Sequence, residues 1–506
     1  MINTSLSPTS SARAASALMQ DLRATLTDLQ RQLSTGEKSA TYGGLGKERF
    51  SALNLQSKLS QMDGYSAIIQ SSSLRLTLMD KSIGGVSDII NKAQTAVRAG
   101  TYEPNANGKP VAQVAADDQL KMMIDLMNVD IGGQYAFSGR ATDTKPVATY
   151  DEIMNGTPGK AGLKTMIQER QTADLGTGGL GRLEAPSIAG STVTLQRDAT
   201  NPGAFGFTIA SVATTSGNVA VSGPAGGLQT TTVGFTAQPN ADETISLTLA
   251  LPDGSNETLT LTATTLSPAP VGSFTIGATP AATAANFQAA LQGAAQKSAE
   301  TSLKSASAIT AAKAFFAGTP TTPPQRVPSP AASATALVAG TTADTIVWYR
   351  GDDDTTAYPN ARTTSLAKVG DALSVGVGAR ANESAMQQAF AMIGALAVVN
   401  VAPSDPNGQL RYSELSDRVR SGLGFPNNMQ SVSSIQVELA NANVSINSAK
   451  DRLTASKNVL TTSLDQIRTA DPQEITASML ALQTRLEATY ATTASLSKLS
   501  LVNYMS

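Results

Sequence analysis

Asp352-Asp353-Asp354 is the only run of three carboxylates in this 506-residue chain, and carboxylates are what a hard cation such as calcium needs. Adjacent side chains point in different directions and lack the alternating spacing of an EF-hand loop, so the run reads as a solvated turn. Two strings follow the G-x-G-x-x-G/A pattern that cradles a pyrophosphate. Gly176-Thr177-Gly178-Gly179-Leu180-Gly181 has no strand before it and no clear helix after it, and reads as a loop. Gly376-Val377-Gly378-Ala379-Arg380-Ala381 has a short apolar lead-in and a helix leading out, but no succession of βαβ units surrounds it. The Gly-Lys pairs at Gly46-Lys47, Gly108-Lys109 and Gly159-Lys160 carry Thr41, Glu103 and Met154 where a P-loop needs its first glycine.

Composition narrows the chemistry further. The chain has no cysteine and no histidine, which removes thiol nucleophiles, disulfides, imidazole acid-base catalysis and the commonest zinc and haem ligands. No catalytic residue, cofactor or metal ligand is expected, and the chain reads as non-enzymatic. With 37 basic and 39 acidic residues the net charge is -2, and no long basic run is present to neutralise phosphates, so nucleic acid is not an expected partner. No stretch approaches the ~18 uninterrupted apolar residues of a membrane span. The opening segment has neither a basic nor an apolar signal region, so a cleaved secretory signal is not expected.

The elements that must position anything here are heptad helices at the two ends. Near the N-terminus a seam runs Leu18, Leu22, Leu26, Leu29, Leu33, then restarts at Leu55 and continues to Val97. Near the C-terminus it runs through Ile446, Leu453 and Leu460, then after Asp471-Pro472 through Ile475, Met479, Leu482, Leu486 and Leu496. Spacings of three and four put each set on one helix face, and a single helix cannot bury such a face alone. The flanking residues are mostly small and neutral, where an isolated coiled coil would carry charged pairs. That pattern predicts packing into a many-helix array, with these thirteen residues as the assembly seam.

Helices are predicted over about 10–33, 50–97, 111–129 and 382–399, besides the two C-terminal heptad segments. Between about 186 and 345 the composition shifts toward Thr, Gly, Ala and Pro. Thr244–Leu251 and Glu257–Thr264 alternate at period two around Pro252-Asp253-Gly254-Ser255, a hairpin with one wet face. An Ala-rich helix from about 284 to 317 and a Pro-rich linker over 319–330 follow, and Ile346–Tyr349 reads as a strand. The plan expected is mainly α: a long coiled-coil-like bundle formed by both termini, with an inserted β-containing outer domain. Its parts are a terminal core (1–40 and 468–506), an elongated helical body (41–185 and 346–467) and the outer domain (186–345). Replacing that insert with a short linker is expected to be tolerated.

Several segments resemble a known family. Met1-Ile2-Asn3-Thr4, Leu29-Gln30-Arg31-Gln32-Leu33-Ser34-Thr35-Gly36 and Ser500-Leu501-Val502-Asn503-Tyr504-Met505 look like the flagellin superfamily. Within it, Gly133-Gln134-Tyr135-Ala136-Phe137-Ser138-Gly139, Asp143-Thr144-Lys145-Pro146 and Gly378-Ala379-Arg380-Ala381-Asn382-Glu383 are most similar to the hook-associated branch at the hook-filament junction. The resemblance covers about 1–185 and 346–506 and leaves out the insert. Filament subunits tend to finish with an arginine-containing ending, whereas this chain finishes Tyr504-Met505-Ser506, which favours the junction branch. The resemblance implies a structural subunit of the extracellular bacterial flagellum, exported by the flagellar type III route. Its implied partners are copies of itself, flagellin, an adjacent hook-associated protein and an export chaperone. Two alternatives stand beside it: a filament flagellin, and a surface adhesin or carbohydrate-binding protein that uses the outer domain.

Overall fold

The computed structural model describes residues 8–98, 102–105, 108–200, 203–426 and 428–504, with side chains at 8–12 and 496–504 outside the described set. In chain order the elements begin with α1 (Pro8–Thr35), α2 (Arg49–Arg98), α3 (Val111–Met127), β1 (Asp130–Ile131), β2 (Gln134–Tyr135), α4 (Tyr150–Asn155) and α5 (Leu163–Leu175). The strands β3 (Ser187–Ala189), β4 (Thr192–Leu195), β5 (Thr208–Thr214), β6 (Val219–Ala225), β7 (Thr230–Phe235), β8 (Thr244–Ala250), β9 (Asn256–Thr264) and β10 (Ser273–Thr275) come next. The chain continues through α6 (Pro280–Ser298), α7 (Lys304–Ala317), β11 (Leu366–Lys368), β12 (Ser374–Gly376), α8 (Ser384–Val398), α9 (Gly408–Gly422), α10 (Val432–Arg468) and α11 (Pro472–Tyr504).

The expectation of a mainly α chain built as a long terminal bundle is overturned. Over the described residues the structure is 53% helix and 15% strand, a mixed α/β protein rather than a chain organised around a terminal bundle. It divides into two compact units, one made of Met1–Ser71, Lys368–Ser374 and Ile446–Ser506, the other of Ser72–Ala367 and Val375–Ser445. The physical reason is where the apolar side chains go. Most of the buried ones lie in the second unit, and the terminal seam alone is too thin to organise the chain.

In the second unit, α8 is apolar all round, with Ala385, Met386 and every residue from Gln388 to Ala397 buried, as expected of a central helix. It is surrounded by α3, α5, α7 and α9. Its last carbonyls are satisfied from outside: Gln113 Nε2 donates to Leu396 O at 2.8 Å and to Val399 O at 2.7 Å. Trp348, fully buried, packs between Phe316 and Phe390 at ring distances of 5.2 and 5.1 Å and donates its indole N–H to Phe316 O at 2.8 Å. In α2, Gly85 sacrifices helix propensity but lets Leu126 approach, since a Cβ there would sit 2.9 Å from Leu126 Cδ1.

Besides the short β1-β2 pair, the same unit holds two four-stranded sheets, ordered β10-β9-β8-β5 and β3-β4-β7-β6, antiparallel apart from β10, which runs parallel to β9. The predicted hairpin is present as β8 and β9. Ile245, Leu247 and Leu249 face the core, while Ser246 and Thr248 face out and meet Thr260 and Thr258 through hydroxyl contacts of 3.2 Å. Phe287 of α6 closes the core edge-on against Phe235 and Phe274.

Three local expectations change. The Ala-rich helix is interrupted by a π-helical turn, Ala299–Leu303. Ile346–Tyr349 is not a strand; it runs beside 146–148, with Ala148 N donating to Trp348 O at 2.8 Å and Arg350 N to Pro146 O at 2.7 Å. The Pro-rich 319–330 segment is not a free linker, because Arg326 pairs with Glu169 at 2.6 Å and Val327 is buried.

Candidate functional site

The thirteen seam residues lie in the first unit. Helices α1 and α11 pack together there, and so do the start of α2 and the end of α10, whose Ala52, Leu59 and Leu464 form a small buried cluster. The seam is only half closed within the chain. Leu22, Ile446, Ile475 and Leu486 are buried; Leu26, Leu29, Leu453, Leu460, Met479 and Leu482 are half-buried. Leu18 and Leu33 remain 51% and 45% exposed. The Leu496 side chain lies outside the described residues, as do Met1–Thr4 and Met505 of the family resemblance.

The turns between these helices are joined to each other. Gly36 ends α1, and Ala470 N donates to Gly36 O at 2.9 Å while Lys38 N donates to Arg468 O at 2.8 Å. Arg468 adds an ion pair to Glu37 at 2.7 Å. Asp471 caps the next helix: its Oδ1 accepts from Gln473 N at 2.8 Å, and Pro472 opens α11. Both breaks in the heptad pattern therefore fall at one place in the unit.

A second cluster, in the other unit, was not foreseen. Two of the segments that carry the resemblance, 133–139 and 378–383, run side by side, with Gly139 N donating to Ala379 O at 3.0 Å and Ala381 N to Phe137 O at 2.8 Å. The third, 143–146, meets Arg350 through Pro146 O. Between them Asp352, only 8% exposed at its side chain, receives Arg140 and Arg380, each at 3.0 Å. Asp352 is thus no solvated turn residue. Burial pushes its carboxyl up, but hydrogen bonds from Arg140 and Arg380 outweigh that and hold it below the usual carboxylate range. Asp353 instead accepts from the Thr321 hydroxyl at 2.9 Å. Arg362, also buried, pairs with Glu383 and donates to Gly378 O at 2.8 Å.

This packing also decides the glycine string at 376–381. A Cβ on Gly378 would lie 2.4 Å from Ala361 O, so the glycine admits a neighbouring backbone, with no opening for a phosphate. Arg380 and Glu383 were legible as part of a motif, and Asp352 as part of an acidic run. Their pairing was not, since Arg140 and Asp352 are 212 positions apart. Among the described residues no group of three or more Asp or Glu side chains could hold a metal ion, and no helix is long and apolar enough to cross a membrane.

No protein-family model, curated protein or solved structure matches the chain.

Proposed function

We propose that this protein is a non-enzymatic structural subunit of the bacterial flagellum, placed at the hook-filament junction and joined to copies of itself through α1 and α11. The observation that carries the reading is the half-closed seam: Leu22 and Leu486 are 7% exposed, whereas Leu18 and Leu33 on the same stripe stay about half exposed. Leu480 of α11 is 67% exposed besides. An apolar stripe open along one side gains free energy by burial against a neighbour, at ~25 cal/mol per Å². Further support comes from the two junction-like motifs, 133–139 and 378–383, lying beside each other as parts of one construction. On this reading the outer neighbours are flagellin and another hook-associated protein, the site is extracellular, and a chaperone holds the chain before export.

Imaging flagella of a strain without the gene tests it. Hooks bearing no filament are expected. An absent filament on intact junctions would point instead to a filament subunit, and unaltered flagella would end the flagellar reading.

A further inference from the structure

The sheet β10-β9-β8-β5 has an incomplete edge. In β9 the odd-numbered residues pair with β8: the ladder is bracketed by Leu251 N to Ser255 O and Ala263 N to Glu243 O, both 2.8 Å, with Leu247 opposite Leu259. In an antiparallel ladder the even-numbered residues then direct their N–H and C=O groups to the other side. There Thr262 N meets Gly272 O at 3.0 Å and Thr264 O receives Ile276 N at 2.8 Å, because β10 covers Thr262–Thr264. Pro270, which has no N–H to donate, ends that cover. Thr258 and Thr260, both exposed, are left with backbone donors and acceptors facing outward.

What they face is a groove of about 490 Å³ rather than open solvent. Its floor is the small-residue side of α6, Ala290, Gly293 and Ala294, and a Cβ on Gly293 would meet nothing within 4 Å. Among the described residues Lys297 is the only cation lining it. The two acids are already engaged, Glu257 by the Ser298 hydroxyl and Glu414 by Arg418 at 2.6 Å. Exposed sheet edges are usually blunted by lysine, proline or a bulge, and none of these stands at Thr258–Thr260.

We propose that this edge is a docking site for an extended, uncharged segment with small side chains, supplied by a partner protein, which adds a strand beside β9 in line with β10. The free main-chain groups call for a peptide backbone. The floor of alanine and glycine lets an added backbone lie close to α6, where only small side chains fit between strand and helix, and the lack of an unpaired charge cluster disfavours a charged segment. At ~3.4 Å per residue, the stretch from Asn256 to Leu261 takes a segment of about six residues. This inference does not rest on assembly through α1 and α11, which belong to the other unit.

The test uses the full chain and a fluorescent acetylated peptide of alternating Thr and Ala, seven residues long, read by anisotropy and by amide hydrogen exchange. Saturating peptide should slow exchange at Thr258 and Thr260. Thr260→Pro removes one outward donor, and Gly293→Leu fills the floor; each should weaken binding at least tenfold. Unchanged protection of the Leu259 and Leu261 amides would show that β8 and β9 still pair in both variants. If Thr260→Pro does not fold, Gly293→Leu decides alone. Equal binding by wild type and Gly293→Leu, or no slowing at millimolar peptide, would overturn the proposal. Slowing that grows with protein concentration without peptide would assign the groove to a second copy and overturn the partner assignment.

Discussion

Arg23 of α1 donates to the Tyr490 hydroxyl of α11 from Nη2 at 2.6 Å and from Nε at 3.1 Å, linking residues 467 positions apart. The guanidinium also lies 5.8 Å from the tyrosine ring centre. Both side chains are exposed, so the contact contributes roughly 1 kcal/mol or less. Its importance is positional. Arg23 follows Leu22, and Tyr490 stands one turn beyond Leu486, so the polar contact sets the register where the seam is most buried.

Tyr490→Phe, which keeps the ring and loses the hydroxyl, should therefore change stability by under about 1 kcal/mol in denaturant titration. Leu486→Asp or Leu22→Asp should be far more severe, because each replaces a buried apolar contact with a carboxylate that must be desolvated, on the order of 3 kcal/mol. Either aspartate variant should lose helical signal and fail to restore motility to a strain lacking the gene. Normal swimming with either would show that the seam is not where copies join.

Asp352→Asn should destabilise the unit formed by Ser72–Ala367 and Val375–Ser445 by roughly 3 kcal/mol, since buried Arg380 would keep its charge and lose its counterion. The emission of Trp348, the single tryptophan and fully buried, reports the unfolding of that unit directly. A midpoint equal to wild type would mean the ion pair contributes nothing.

Acid sensitivity follows from the same carboxylate. The Asp352 carboxyl titrates lower in the folded chain than in the unfolded one, where its pKa is ~3.9. Its contribution is fully present above about pH 4 and is lost as pH falls through the folded value. Asp405, raised by burial but lowered further by hydrogen bonds from the Asn407 backbone and Arg411, adds in the same direction. The stability of wild type, followed by Trp348 fluorescence between pH 6 and 2, should fall more steeply than that of Asp352→Asn. Parallel curves would remove Asp352 from the account.

Replacing 186–345 with a short linker should unfold the second unit, contrary to the tolerance expected from sequence. The cut removes α7, and with it Phe315 and Phe316, both fully buried, and the carbonyl that accepts the Trp348 N–H. It also strips Glu300 from Arg411, which donates to Glu300 O at 2.7 Å. Circular dichroism and Trp348 emission of the truncated chain would settle the matter. A native-like spectrum would restore the insert as a separable module.

Local pattern was enough for several elements. Heptad spacing placed α1 and α2 to within two residues at each end, and period-two alternation placed β8 and β9, because amphipathic periodicity depends only on which face of an element is buried. The cap at Asp471 is equally local, being a contact between neighbours in the chain. Tertiary structure alone decided the rest. The Ala- and Ser-rich α7 has no dominant face, so nothing in its own sequence says that it packs against α5, α8 and α9 instead of standing in a detached insert. The Arg140, Asp352 and Arg380 cluster likewise joins charges from distant segments, and charged residues look the same in sequence whether they end in solvent or in a buried pair. Only the fold, by removing water from around Asp352, turned an acidic run into an ion-pair centre.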